Sequence, residues 1–551
     1  MKTRQKRLKK LSRYLPLGTA TLIALFPLLS VSSNAHASTT ATSTSSTSQV
    51  QPWSIGITYN PGDLVTYQGQ TYQCTESTLS LEGWQPPNVP AVWEPITSTT
   101  PFAEGPMGGI SGKYQVIGYY PDWATYGAGY QVSNAGLPTS AVYNNSSINP
   151  NQFTVINYAF ATICWNGKYG NPTVKTWSCD QKGVPLQQGN VPNGSIVLGD
   201  PWADTQQIFN GTFTWTQSGV AKAGNFGAIQ LLKKQDPNLR VDISVGGWTW
   251  SNQLSDMAAT AQTRDNFANS VVKFLEYYGL DGIDIDWEYP GGGGLTGNDS
   301  NVNDAQNFTL LLQDLRQKLD AAGLKDGKYY TLSIAAGANP DYLKLIQPQQ
   351  VAKTVNWIDL MTYDYNGNWS NVADMNAPLY ADPNDPQSSA PIFNINSTVN
   401  AYLNAGFSPK ELILGEPFYG YGWSGCPPIN HGLYQICTGS IPKGTWDTGT
   451  SGYTGVFDYG DLIANYVNKN GFTRYWNPTT MTPYLYNQSN GEFISYDDQQ
   501  SIAAKDAYVK SNGLGGAMIW DISTDAHNGP AYSSAGAPSL LAQIDSDFAV
   551  Q

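Results

Sequence analysis

From Lys113 onward, short apolar runs rich in β-branched residues alternate with longer stretches of helical period. The runs are Gln115–Tyr120, Thr154–Ala161, Arg240–Val245, Gly282–Glu288, Tyr330–Ala336, Trp357–Tyr363, Leu412–Pro417 and Gly516–Trp520. Helical patterns such as Ala261–Tyr278 and Asn303–Ala322 lie between them. Eight strands alternating with helices predict an α/β fold with a parallel sheet and, by their number, a (β/α)8 TIM barrel. An open doubly wound sheet is the alternative, but no G-x-G-x-x-G turn follows the first strand. The seventh and eighth runs are too far apart for one βα unit. Clusters of Tyr, Trp and Gly in that gap predict an inserted α+β subdomain at about residues 421–500.

Upstream the pattern changes twice. Residues 38–51 are rich in Ser and Thr and nearly uncharged, which reads as a flexible linker. A short aromatic block occupies 52–97, and 98–112 reads as a second linker before the barrel at 113–551. At the start, seven Lys or Arg residues and no acid precede a mostly apolar stretch from Leu15 to Val31. Ala35-His36-Ala37 then offers a small-x-small cleavage site. The combination predicts a secretory signal over 1–37 and an extracellular protein. An uncleaved anchor is the alternative, but Pro16, Gly18 and Pro27 interrupt the apolar run.

Composition narrows the function classes. The 551 residues are 40% hydrophobic and 12% aromatic, but only 13% charged. That excludes a disordered chain, which is charge-rich and poor in aromatics. One long apolar stretch does not make a multi-pass membrane protein, and no membrane association is expected once the signal is removed. The net charge is −13, and loss of the signal leaves 22 basic against 42 acidic residues, or −20. Nucleic acid, which needs a basic footprint, is therefore not an expected partner. Abundant Trp and Tyr beside few charges suit neutral, ring-shaped ligands such as sugars. Nothing in the sequence calls for an oligomer, and a monomer is expected.

Export permits disulfides. Of the five cysteines, Cys164/Cys179 and Cys426/Cys437 each bracket a short loop-like stretch and are candidate pairs. Sequence alone leaves the connectivity open. No Cys-x-x-Cys or His-rich spacing suggests a metal site, and no cofactor is expected.

The most informative segment is Asp281-Gly-Ile-Asp284-Ile-Asp286-Trp-Glu288-Tyr-Pro290. Side chains alternate along a strand, so Asp284, Asp286 and Glu288 share one face, ~6.5–7 Å apart, and Ile283, Ile285 and Trp287 the other. Three ionised carboxylates so close in a barrel interior are costly, so a shared proton and at least one raised pKa are expected. Glu288, nearest the C-terminal end where barrel active sites lie, suits a protonated general acid. A solvated face does not fit so apolar a strand. A calcium loop needs Glu at its twelfth position, which here is Gly292 or Leu295.

This segment resembles the DxxDxDxE signature of the family 18 glycoside hydrolases, the chitinase family, with Asp281, Asp284, Asp286 and Glu288 in its four acidic positions. Ser244-Val-Gly246-Gly247-Trp248 is similar to the family's SxGG segment, and Met361-Thr-Tyr363-Asp364-Tyr365 to its MTYD segment. Tyr119, Phe160, Asn376 to Leu379, Tyr419 and Trp520 also fall where relatives have equivalents. Glu416 and Tyr421 depart from the family pattern, where a small apolar residue and an Arg are usual.

The resemblance implies a substrate-assisted mechanism, in which the substrate's 2-acetamido oxygen attacks the anomeric carbon. It gives Glu288 the acid/base role and has Asp286 orient the acetamido N–H. Asp284 holds Asp286 and shares its proton. Tyr363 bonds the acetamido carbonyl, and Asp364 helps position the sugar. It places Trp520 under the distorted ring, with Tyr119, Phe160, Trp248, Met361 and Tyr419 along the substrate. Ser244, Gly246, Gly247 and Asp281 stand behind these groups, Asp281 as a structural residue because it lies off the acidic face.

The aromatic block reads Tyr-x-x-Gly-Asp-x-Val-x-Tyr-x-Gly-x-x-Tyr-x-Cys from Tyr59 to Cys74, then Gly83-Trp84-x-Pro86, then Trp93. It resembles the family 5/12 chitin-binding modules, which implies a small all-β carbohydrate-binding module. Trp84 is the expected sugar contact, with Trp53, Tyr67 and Trp93 in the core. The expectation is a secreted chitinase acting on chitin or chito-oligosaccharides. The alternatives are an endo-β-N-acetylglucosaminidase acting on N-glycans and a non-catalytic chitin lectin. The lectin reading is opposed by the presence of Glu288.

Overall fold

The computed structural model describes residues 52–61, 63–67, 70–96, 114–126, 130–132, 146–207, 223–450 and 452–548. The expected signal at 1–37 and the linkers at 38–51 and 98–112 lie outside them. The chain divides into two compact units, one built around the N-terminal block and one around the rest.

The larger unit is a closed barrel of eight parallel strands: β1 (Gln115–Pro121), β2 (Val155–Ile163), β3 (Arg240–Gly246), β4 (Gly282–Asp286), β5 (Thr331–Gly337), β6 (Trp357–Met361), β7 (Leu412–Pro417) and β8 (Gly516–Trp520). Each pairs with the next in chain order, and β1 pairs with both β8 and β2, so the eight strands close on themselves, with a short ninth strand, 196–198, added antiparallel to the end of β2. The open-sheet alternative is thereby excluded. Every residue of β1, β2, β5 and β7 is buried, as expected for strands with a packed lumen on one face and helices on the other.

The helices follow from local chemistry. In α1 (Ala261–Tyr278), Phe267, Ala268, Val271, Phe274, Leu275 and Tyr278 recur at three- and four-residue spacing and form the buried face. Thr260 caps its N-terminus by accepting from the Thr263 amide, and Gly279 ends it with φ 68°, a conformation glycine adopts without steric cost. The last helix before β8 is α2 (Gln499–Asn512), which starts with a reciprocal Asp498/Ser501 capping box.

Between β7 and β8 lies a five-stranded antiparallel sheet, with strands at 419–423, 456–458, 472–477, 482–487 and 492–495. Trp423, Tyr484, Tyr486 and Phe493 form its core with Cys426 and Cys437, which are disulfide-bonded. A second disulfide, Cys164–Cys179, closes the hairpin 168–171/175–178 onto the end of β2.

The smaller unit is all β. Strands 64–67, 70–74 and 93–96 form one antiparallel sheet, and 58–59 pairs with 78–79. Tyr59, Val65, Cys74, Val92 and Trp93 make its core, with Tyr59 and Trp93 edge to face at 5.1 Å. Trp53 and Tyr67 are half-buried in a second such pair, whereas Trp84 is exposed.

Candidate active site

Strand register builds the site in levels. Pairing sets Ser244 of β3 and Ser333 of β5 beside Asp284 of β4, all pointing into the lumen. Ser244 Oγ donates to Asp284 Oδ2 at 2.8 Å and Ser333 Oγ to Oδ1 at 2.9 Å. Tyr119 Oη, from β1 across the barrel, also donates to Oδ2 at 2.8 Å. Burial raises the Asp284 pKa, but all three donors oppose that rise. One level up, β3 offers Gly246 opposite Asp286, and the next inward position of β5 is Ala335. Neither brings a donor, and Asp286 Oδ1 has no hydrogen-bond partner among the described residues. Burial and then the nearby Glu288 and Asp284 carboxylates push the Asp286 pKa well up. The two acids are thus sorted by their surroundings: Asp284 is fitted to be the anion and Asp286 to carry the proton.

Gly246 has a second role. At φ 115° a Cβ there would collide with the Asp286 carbonyl oxygen, so only glycine lets β3 run this close.

β4 ends at Asp286, so Glu288 stands just past the strand, at the C-terminal mouth of the barrel. Its amide donates to Ser251 Oγ at 2.9 Å, and its carbonyl accepts from Asn298 Nδ2 at 3.0 Å. The carboxyl is buried. Desolvation raises its pKa to about 8, with the Asp364 charge adding to this and a hydrogen bond from Tyr289 opposing it. At neutral pH Glu288 is therefore a carboxylic acid holding a transferable proton.

Aromatic side chains line the mouth. Trp520, at the end of β8, lies 5.6 Å from Tyr119, 5.8 Å from Phe160 and 6.4 Å from the exposed Trp123, ring centre to ring centre. Tyr363 is buried after β6, its hydroxyl 3.8 Å from Met518 Sδ, and Met361 packs beside it. Asp364 follows with φ 57°, its amide bonded to Asn376 Oδ1 at 2.8 Å. The Asp364 carboxylate accepts from Tyr419 Oη at 2.5 Å and from the Tyr421 hydroxyl. Trp248 is exposed on the short helix after β3.

Two expected residues stand apart from this group. Asp281 lies before β4, paired with Lys233 at 2.6 Å and accepting from the Val241 amide, which anchors the entry of the strand. Trp84 belongs to the other unit. Four groups that the sequence reading did not single out join the site: Ser333, Asn157, Asp359 and Tyr289. Asp359 Oδ2 accepts from Asn157 at 3.1 Å and Trp357 Nε1 at 3.3 Å, with Tyr119 Oη 3.5 Å away. Asp359 is the lone polar residue of β6 and Ser333 follows Thr331 in the inward phase of the otherwise apolar β5, which is the signal that marks them. Tyr289 carries no such signal, because strand alternation stops before it. Among the described residues no cluster of His, Cys, Asp and Glu is arranged to hold a metal ion.

The closed barrel, the inserted sheet and the acidic strand opening at the barrel's C-terminal mouth define a class, and comparison agrees. The model of glycosyl hydrolases family 18 matches residues 115–525, and the chain belongs to that family. Residues 52–94 match carbohydrate-binding module family 5/12. Among relatives, the chain is 50% identical over 421 residues to Chitinase A1 of Niallia circulans, covering 75% of this chain and 57% of that protein. It is 37% identical over 333 residues to Chitinase 1 of Aphanocladium album, covering 60% and 72%. Among solved structures, Chitinase ChiA74 from Bacillus thuringiensis superposes with a TM-score of 0.74 at 46% identity, covering 79% of this chain and 70% of that one.

Proposed function

We propose that this protein is a secreted chitinase that hydrolyses β-1,4-linked N-acetylglucosamine polymers by a retaining, substrate-assisted mechanism. The observation that carries the reading is Glu288, a buried acid with its pKa raised to about 8 at the barrel mouth, two residues from a donor-poor Asp286. The family match, the second match to a carbohydrate-binding module and the chitinase relatives supply the substrate class.

In this mechanism the acetamido oxygen of the bound sugar forms a bond to C1 while the C1–O bond to the leaving sugar breaks. Glu288 delivers its proton to that leaving oxygen. As Asp286 turns to the acetamido N–H it leaves its proton with Asp284, so that the Asp286 carboxylate orients that group and balances the oxazolinium charge while Asp284 holds the proton the pair shares. Glu288 then takes a proton from water as the water oxygen bonds to C1. Tyr363 and Asp364 position the acetamido group and the sugar, and Trp520 forms an apolar floor. Tyr119, Phe160, Trp248, Met361 and Tyr419 extend the contact, and Trp84 engages the polymer from the module. The signal peptide is residues 1–37, the module 52–97 and the catalytic region 113–551.

The deciding experiment compares the protein with Glu288→Gln on insoluble chitin and on a high-mannose glycopeptide. The expected result is chitin turnover by the wild type alone, with a loss of at least about 100-fold in the variant. Equal turnover by both proteins refutes the assignment of Glu288. Activity confined to the glycopeptide identifies an endo-β-N-acetylglucosaminidase instead.

A further inference from the structure

Asp364 is held by two uncharged donors. Tyr419 and Tyr421 stand two residues apart on the first strand of the inserted sheet, so both side chains leave the same face. Register fixes that strand from two sides: Tyr421 pairs with Val456 and with Ser495, and Tyr419 with Asp458. Tyr419 Oη donates to Asp364 Oδ1 at 2.5 Å, and the Tyr421 hydroxyl donates to the same carboxylate. The two rings meet edge to face at 5.6 Å. Tyr421 also meets the exposed Trp369 edge to face, at 5.2 Å.

The groups around this clamp carry charge of one sign. Among the described residues, Asp364 is influenced by the two tyrosines, Glu288 by Tyr289 and Asp364, and Asp286 by Glu288, Asp284 and Asp359. Tyr421 in turn is influenced by Asp364 and Tyr419. No lysine, arginine or histidine is among these groups. Tyr363 and Tyr289, which close the site after β6 and β4, both feel Asp286, Glu288 and Asp364. Tyr421 occupies a position where the family pattern has an arginine.

The difference between the two side chains is electrostatic. A guanidinium on Asp364 would form an ion pair and cancel the carboxylate's field at its neighbours. A phenol donates a hydrogen bond and brings no charge. Burial raises the Asp364 pKa, and the two hydroxyls oppose that rise by stabilising the anion. The Asp364 charge therefore still reaches Glu288, where it adds to the effect of burial in retaining the proton. The bound sugar gains positive charge as its C1–O bond breaks. An anion not already paired stabilises that charge more than a paired one does.

We propose that Tyr421 is a positioning residue for the reaction: its hydroxyl holds Asp364 in place without neutralising it, so that the site meets the positively charged sugar with one more free negative charge than an ion-paired Asp364 would supply. This rests on the chitinase reading above.

The test measures kcat and KM on soluble chito-oligosaccharides from pH 4 to 10 for the full chain, Tyr421→Phe and Tyr421→Arg, with a thermal melt of each. Tyr421→Lys is a second cationic variant, read in the same way if Tyr421→Arg does not fold. Tyr421→Phe keeps the ring contacts and loses only the donor, and its kcat should fall roughly tenfold. Tyr421→Arg should move the basic limb of the kcat profile down by about one pH unit, because the cation cancels the Asp364 charge at Glu288. Wild-type kcat in Tyr421→Phe overturns the proposal, since the ring alone then suffices, as it would if Tyr421 merely backed Trp369. A basic limb that stays in place in the cationic variants overturns it as well. Should the wild type itself fail to cleave the oligosaccharides, the chitinase reading fails, and this inference with it.

Discussion

Asp284 and Asp286 lie two residues apart on one strand and face one lumen, yet their neighbours differ completely. Two serines and a tyrosine surround the first, and a glycine and an alanine flank the second. A buried carboxylate with three hydroxyl donors is stabilised as the anion, and one without donors keeps its proton. Ser333→Ala therefore removes a donor from the Asp284 anion and raises its pKa. We expect kcat to fall by roughly tenfold or more, as for loss of a hydrogen bond to a charged group. The acidic limb of the kcat profile should move upward with KM little changed, and an unaltered profile would refute this sorting of the two acids. Glu288 sets the other limb. In the proposed mechanism its acid form is the active one, and desolvation holds its pKa near 8. Activity should persist through neutrality and decline as pH rises through about 8, which a pH series of initial rates on a soluble substrate measures.

Elements carry a second set of charges away from the site. Glu416 of β7 faces outward and is wholly buried against α2. The groups around it are Asp506 and Lys505 on α2 and Asp497 just before that helix, with Asp547 and Lys510 beyond Asp506. Lys505 is committed to Asp497 at 2.6 Å. Burial and the neighbouring acids raise Glu416 well up, and burial raises Asp506 to about 8. The native state thus holds protons that an unfolded chain releases near pH 4. Stability consequently falls as pH rises from the ordinary carboxyl range to about 8. Glu416→Gln should flatten that decline, which melting temperatures at pH 5 to 9 test; parallel wild-type and variant curves would count against it. The disulfide Cys164–Cys179 closes a sequence separation of 15 residues. Replacing both cysteines by Ser should cost about 3 kcal/mol by loop entropy, read from denaturant midpoints. The inserted sheet also reaches the site through its first strand, because Tyr419 and Tyr421 hold Asp364. Tyr421 departs from the family pattern in sequence, and the fold gives it a partner.

Across the whole molecule the scarcity of charge becomes a statement about recognition. With 13% charged residues and 12% aromatic ones, binding to an uncharged polymer should depend little on salt. Affinity for insoluble chitin should change less than about twofold between roughly 0.05 and 0.5 M NaCl, because no ion pairs with the ligand are there to be screened. A steep salt dependence would place charge, not stacking, at the interface. The eight strands were legible because buried parallel strands are short apolar runs, and their order follows from the alternation with helices. The acidic strand was legible because three carboxylates in phase on an apolar strand have few structural explanations. Ser333, Asn157 and Asp359 carry only weak signals, since a single polar residue in a strand does not say which neighbour it meets. The barrel, the module and the in-phase acids Asp284, Asp286 and Glu288 could be read along the chain, because periodicity and residue type are local properties. Which acid is the anion and which tyrosines hold Asp364 emerged only with the folded chain. Those outcomes depend on strand register and on distances between residues far apart in the chain, and these are fixed only when the sheet closes.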